Sequence, residues 1–263
     1  MTLPSFSFVP SSTLTPELKT ELESSLTSFG SYMGKLGFSV GTRPVSVEIA
    51  PGVAYKGYVG SWNPDTASIV VASAFAHDKA SVLRQLAHES LHTRSIQSSE
   101  YLAVESGLAT YFPCSFLNHP KVGDQASAAG QNVYRPQDLL NSRRFSEIQL
   151  KQYVSVQNDG SEIWGAAFWQ IRELLGQEDA DRMLAKMWQA LSVGNSQTAS
   201  FYASFVESLV ESAKGVADKA LVRLRQLNPA LRVSNLKDVL SPYRRAEDLS
   251  RYEEGLRRAG LPE

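Results

Sequence analysis

The chain has 263 residues, 43% hydrophobic and 20% charged, which are ordinary globular proportions and exclude a disordered chain. Its formal net charge of −1, with no cluster of Lys or Arg, gives nucleic-acid binding no electrostatic support. The one cysteine, Cys114, excludes an intrachain disulfide and any Cys-based zinc site, and reads as a small buried hydrophobe.

This length suits one large domain or two lobes sharing a cleft. No stretch of about 18 apolar residues occurs, so no membrane-spanning helix and no membrane partner are expected. The first ten residues, Met1 to Pro10, have no basic region followed by a long apolar run and do not read as a signal peptide. The compartment stays open between the cytoplasm and export with the signal already removed.

In chain order, the spacing of Leu18, Leu22, Leu26 and Phe29 predicts a helix from about 16 to 36, opened by Pro16. Gly34, Gly37 and Gly41 break that pattern. Strands are predicted over Val45–Ile49, over Val53–Val59 beyond the Pro51-Gly52 turn, and over Ser68–Ser73. Helices dominate from there on. One runs from Asp78, a plausible N-cap, to His92, and another from about Ser99 to Phe112, where Pro113 should stop it. Residues 113–137 read as irregular. Further helices are predicted near 137–153, 161–175, 178–193, 197–226, 235–241 and 243–258. A small sheet followed by helices is an α+β arrangement. We expect a single catalytic domain over 1–263, with an α/β lobe at 1–97 and a helical lobe at 98–263.

Residues 88–92 read His-Glu-Ser-Leu-His, a match to H-E-x-x-H. Four histidines and 17 glutamates placed at random would give roughly 0.004 such matches. On a helix, His88 and His92 project from one face and can share a metal, while Glu89 points to an adjacent strip within reach of a metal-bound water. With Val82 at zero, the apolar residues Val82, Leu86, Leu83, Ala87 and Leu91 span roughly 0 to 180°. His88 and His92 fall near roughly 240 and 280°, on the opposite side.

A metal site needs a third ligand. A metzincin would carry a further histidine at position 98, where this chain has a serine, so that class is excluded. Downstream, Glu105 is the only charge within Tyr101-Leu-Ala-Val-Glu-Ser-Gly-Leu-Ala-Thr-Tyr-Phe112, and its helical neighbours are Tyr101, Leu108, Ala109 and Phe112. A carboxylate inside an apolar stripe is costly unless it is paired or binds a metal. Two His and one Glu form a catalytic zinc set that leaves a fourth position for water. Competing readings pair Glu105 with Arg84, Arg94 or Lys121, or put Glu100 in its place.

His-Glu-Ser-Leu-His together with Val-Glu-Ser-Gly-Leu-Ala-Thr-Tyr-Phe resembles the gluzincin superfamily of zinc metallopeptidases, which includes thermolysin-like and aminopeptidase N-like enzymes. Here a serine stands between Glu105 and Gly107, and only 12 residues separate His92 from Glu105. A second segment, Asp159-Gly-Ser-Glu-Ile-Trp-Gly-Ala-Ala-Phe-Trp169, is similar to a helix start in fungalysin-like peptidases, without the histidine that precedes it there. Trp164, Phe168 and Trp169 equally suit a core.

The resemblance implies a zincin-like fold and metal-assisted hydrolysis of a peptide or protein substrate, with Zn2+ on His88, His92 and Glu105 and with Glu89 as general base. Tyr134, Asn158 or Tyr153 would meet the oxyanion, and Asp138 and Asp159 would be acceptors for the imidazole N–H groups. The alternatives are a non-peptide metallohydrolase on the same scaffold and a catalytically silent binding module.

Overall fold

In the computed structural model of the chain, the described residues are 5–11, 13–39, 43–54, 59–63, 65–91, 99–143 and 153–191, with Phe205, Ser208, Leu209, Glu211 and Ser212. Two compact units are formed, Met1–Gln170 and Ile171–Glu263. The division falls inside a helix near residue 170.

In the first unit, β1 (Phe6–Phe8) leads into α1 (Pro16–Lys35). Thr15 caps α1 by accepting a hydrogen bond from the Leu18 amide at 3.2 Å, and Pro16 occupies the first turn, where its missing N–H costs nothing. Leu18, Leu22, Leu26, Phe29 and Met33 are all buried along one stripe of α1. Then come β2 (Val45–Ala50), β3 (Gly60–Asn63) and β4 (Ser68–Ala72). The sheet order is β1-β2-β4-β3, parallel except for β3, which runs antiparallel to β4. Val47 pairs with Ile69 and Ile49 with Val71, all fully buried, so the centre of the sheet is sealed. The strand predicted over Val53–Val59 is displaced: Val53, Ala54 and Val59 are not in a strand, and pairing begins at Gly60.

α2 (Lys79–Leu91) packs against α1, β3 and β4, and α3 (Ser99–Leu117) returns along it. The predicted stop at Pro113 does not occur. α3 runs a further turn, and the burial of Phe112, Cys114 and Ser115, all at 0% exposure, outweighs the one backbone hydrogen bond that proline removes. A short ribbon of β5 (Lys121–Val122) and β6 (Gln137–Asp138) follows, with α4 (Ala128–Val133) between its strands. The region expected to be irregular thus has local order, and the described start of the helix predicted over 137–153 is strand and turn instead.

α5 (Tyr153–Leu175) begins well before the predicted position and carries residues of both units. Its Glu162 carboxylate, 6% exposed, accepts from Arg135 at 3.0 Å and Arg143 at 2.6 Å, which ties the 134–143 segment to the helix. In the second unit, α6 (Gln177–Ala190) buries Met183, Leu184, Met187 and Trp188, and Ser208 donates to the Met187 carbonyl at 2.9 Å. The helices predicted over 235–241 and 243–258 lie outside the described residues. No described helix is long and apolar enough to cross a membrane.

α3 and α5 approach with almost no side chain between them. A Cβ placed on Gly107 would stand 2.5 Å from the Trp164 Cβ, and one on Gly160 would stand 2.7 Å from the Ala103 Cβ. The obstacle at Gly107 is the first atom of a side chain fixed to a helix, so it cannot rotate away. Gly107→Ala would gain about 1 kcal/mol of helix propensity and lose about 1–3 kcal/mol to overpacking. The expected net is a destabilisation of up to about 2 kcal/mol. Chemical denaturation of the variant checks this, and a midpoint at or above wild type would show that the two helices part freely.

Candidate metal centre

α2 is wrapped on nearly every side. Between Ala80 and Leu91 only Arg84, His88 and Glu89 are less than fully buried. The wheel reading placed the histidine face opposite the core. In the folded chain α3 covers much of that side, so His88 looks onto another helix.

His88 lies in the last turn of α2 and Glu105 in the second turn of α3. Nδ1 of His88 and Oε1 of Glu105 are 3.2 Å apart, with the side chains 17% and 4% exposed. Tyr101, Leu108, Ala109 and Phe112 are buried beside Glu105, so its carboxylate sits in the apolar stripe that the helical spacing predicts. Of the partners considered from sequence, Lys121 is directed to Asp138 at 3.7 Å. Nε of Arg84 is enclosed without an acceptor among the described residues.

The residues can be tested against a tetrahedral zinc ion by the separation alone. Two ligands at roughly 2.0–2.1 Å from one such ion stand roughly 3.3 Å from each other. Direct charge-assisted pairs are shorter, at about 2.8 Å. The observed 3.2 Å fits the edge between two ligands, and the imidazole and carboxylate are both donors that zinc accepts. The same contact also fits a carboxylate that orients a histidine ligand from behind.

His92 lies outside the described residues, as do residues 93–98. Among the described residues no group of three or more His, Cys, Asp or Glu side chains is placed to hold a metal. Glu89 is half-buried on α2, next to His88. Tyr134 follows α4 and packs edge-on against Phe75, 5.9 Å between ring centres, beside the N-terminal end of α2 rather than its last turn. Asn158, Tyr153 and Asp159 belong to α5, so they sit inside a helix and not ahead of one; their side chains are outside the description. Asp138 is in β6, held by Lys121 and by the Leu140 amide at 2.9 Å.

At the other end of α2, Asp78 caps the helix through the Ser81 amide at 2.8 Å. Its second oxygen accepts from the Gly123 and Gln125 amides at 3.0 and 2.9 Å, a link across 45 residues that no local pattern announces. A cavity of about 370 Å³ opens there, lined among others by Asp78, Asn118 and a His119–Asp124 pair at 2.8 Å. Ten residues of helix, roughly 15 Å, separate it from His88.

Comparison with protein-family profiles, with curated proteins and with solved structures found no match.

Cys114 contributes no reactive thiolate. Burial pushes its thiol well above the ordinary range, and the carboxylates of Asp78, Asp124 and Asp138 push the same way against the opposing Arg84. At about pH 8, where a free cysteine is partly ionised, native protein should resist a thiol reagent and react fully once unfolded. Rapid labelling of the native chain would contradict the burial of this side chain.

Proposed function

We propose that this chain is a zinc-dependent peptidase of the gluzincin type, with His88, His92 and Glu105 as metal ligands and Glu89 as general base. The observation that carries the reading is the pairing of His88 with a buried Glu105 across two helices, 17 residues apart in sequence. Chance occurrence of the five-residue motif would not bring a carboxylate from the next helix to its first histidine.

When bound, zinc would supply a Lewis acid that lowers the pKa of a water towards 7. Glu89, adjacent to His88, takes the proton of the attacking water and returns it to the leaving amine. Glu105 contributes a negative charge from a rigid, dry position, and α3 holds it there. A neutral donor for the oxyanion would complete the set; Tyr134 packs beside the opposite end of α2, so Asn158 and Tyr153 take its place as candidates. Removing the true donor should cost about 100- to 1,000-fold in turnover.

Purified protein reconstituted with zinc should carry about one ion per chain by elemental analysis, as a three-ligand catalytic site requires. His88→Ala and His92→Ala should each lose most of it. No bound metal after reconstitution would end the proposal.

Glu89→Gln should keep the metal and lose about 100- to 10,000-fold in peptide hydrolysis, because an amide cannot accept the water's proton. Wild-type turnover in that variant would remove Glu89 from the mechanism. Glu105→Gln separates the two roles open to Glu105. A ligand's loss should abolish binding, whereas an orienting carboxylate's loss should weaken it by about 10- to 100-fold.

A further inference from the structure

We propose that Gly160 is a positioning residue for the metal centre: the bare backbone of α5 at this point sets the separation of Glu105 from His88. The inference rests on the metal-ligand reading of that pair and adds a residue that touches neither ligand.

α3 is held from two opposite sides. At roughly 100° per residue, Ala103 and Gly107 lie about 40° apart around its axis. Glu105 stands roughly 160–200° away from both, in the stripe it shares with Tyr101, Leu108 and Phe112. Ala103 faces Gly160 of α5, where an added Cβ would stand 2.7 Å from the Ala103 Cβ. Glu105 faces α2, with Oε1 3.2 Å from Nδ1 of His88. The two contacts are two residues apart on α3 and act on it in opposition.

Neither neighbour of α3 retreats freely. α2 is bound at its N-terminal end by Asp78, which accepts from the Ser81, Gly123 and Gln125 amides. α5 is tied through Glu162 to Arg135 and Arg143, and Leu139 closes over Gly165, where a Cβ would stand 2.7 Å from the Leu139 Cδ2. Carbon atoms in contact stand about 3.5–4.0 Å apart, so a methyl group at Gly160 would drive α3 from α5 by roughly 1 Å. Both Cβ atoms belong to helical backbone, and no rotamer relieves the contact. The displacement carries Glu105 towards α2. Metal–ligand distances tolerate only about 0.2 Å, so an error of this size spoils the site without removing a ligand.

The test exchanges one methyl group between the helices. Full-length wild type, Gly160→Ala, Ala103→Gly and the double variant are titrated with zinc against a chromophoric chelator. Gly160→Ala should bind zinc about 10- to 100-fold more weakly, as when a group that orients a ligand is lost. The double variant has one methyl group at the contact, as wild type does, and should return to within about threefold of it. Gly130→Ala is the control: a Cβ there would meet the Phe75 ring at 3.1 Å, near the other end of α2, and should unsettle the fold without changing zinc affinity. Equal loss in Gly130→Ala, or wild-type affinity in Gly160→Ala, would overturn the proposal. If Gly160→Ala does not fold, Ala103→Gly carries the test. It should bind more weakly than wild type and recover in the double variant, and wild-type affinity there would overturn the proposal equally.

Peptide cleavage plays no part in these readings. A chain that binds zinc in this pattern but hydrolyses nothing keeps the spacing role and loses the peptidase reading. If wild type takes up no zinc, the metal reading fails, and the His88 imidazole nitrogen resonances of the metal-free protein report the spacing instead. They should move in Gly160→Ala and return in the double variant; resonances that stay in place would show that Gly160 does not set the separation.

Discussion

The Glu105 carboxylate is the constraint around which the helical part of the first unit is arranged. It is 3% exposed within a helix of high apolar content, and an ionised carboxylate there needs a partner to offset its lost hydration. His88 supplies one, and only one register of α2 against α3 allows it. A slip of one turn would move the imidazole by roughly 5.4 Å and strand the charge. At the opposite end of α2, Asp78 accepts three backbone N–H groups, two of them from the segment after α3. α2 is pinned at both ends by polar contacts, and apolar packing fills the length between them.

The far side of α3 is fixed by absence of side chain. Gly107, two residues past Glu105, admits the backbone of α5 at Trp164, and Gly160 admits Ala103. Trp164 stacks on Phe168 at 5.9 Å, and Tyr111 meets Phe168 edge-on at 6.1 Å. The inserted Ser106 costs α3 nothing, since its carbonyl accepts from the Thr110 hydroxyl at 2.8 Å and the residue is buried. The helix bearing Glu105 is therefore held on one face by α2 and on another by α5. Such immobility is what a ligand must have if its position is to be set before the metal arrives.

Features with local causes were legible in the sequence. α1 follows from Thr15, Pro16 and the stripe from Leu18 to Phe29, and the burial of Glu105 among Tyr101, Leu108, Ala109 and Phe112 follows from helical spacing alone. Features decided by distant residues were not. Pro113 carries the local signal of a helix stop, yet the burial around it is tertiary and overrides that signal. Strand β3 begins late because pairing with β4, not the alternation of Val53 to Val59, sets its register. The links from Asp78 to Gly123 and Gln125, and from Glu162 to Arg135 and Arg143, join residues whose spacing has no period. In the candidate centre, the relation of His88 to Glu105 was readable from motif spacing.

Charge balance gives the proposed centre its last physical support. The C-terminal end of a helix carries roughly half a negative charge, and His88 stands in the last turn of α2. Glu89, next to His88 on α2, and Glu105 add two carboxylates close by. A protonated His88 would offset one of those charges. A divalent cation would offset two and would be favoured by the helix end as well. The apolar residues around Glu105 then work for the metal rather than against it, because attraction between opposite charges strengthens as water is excluded.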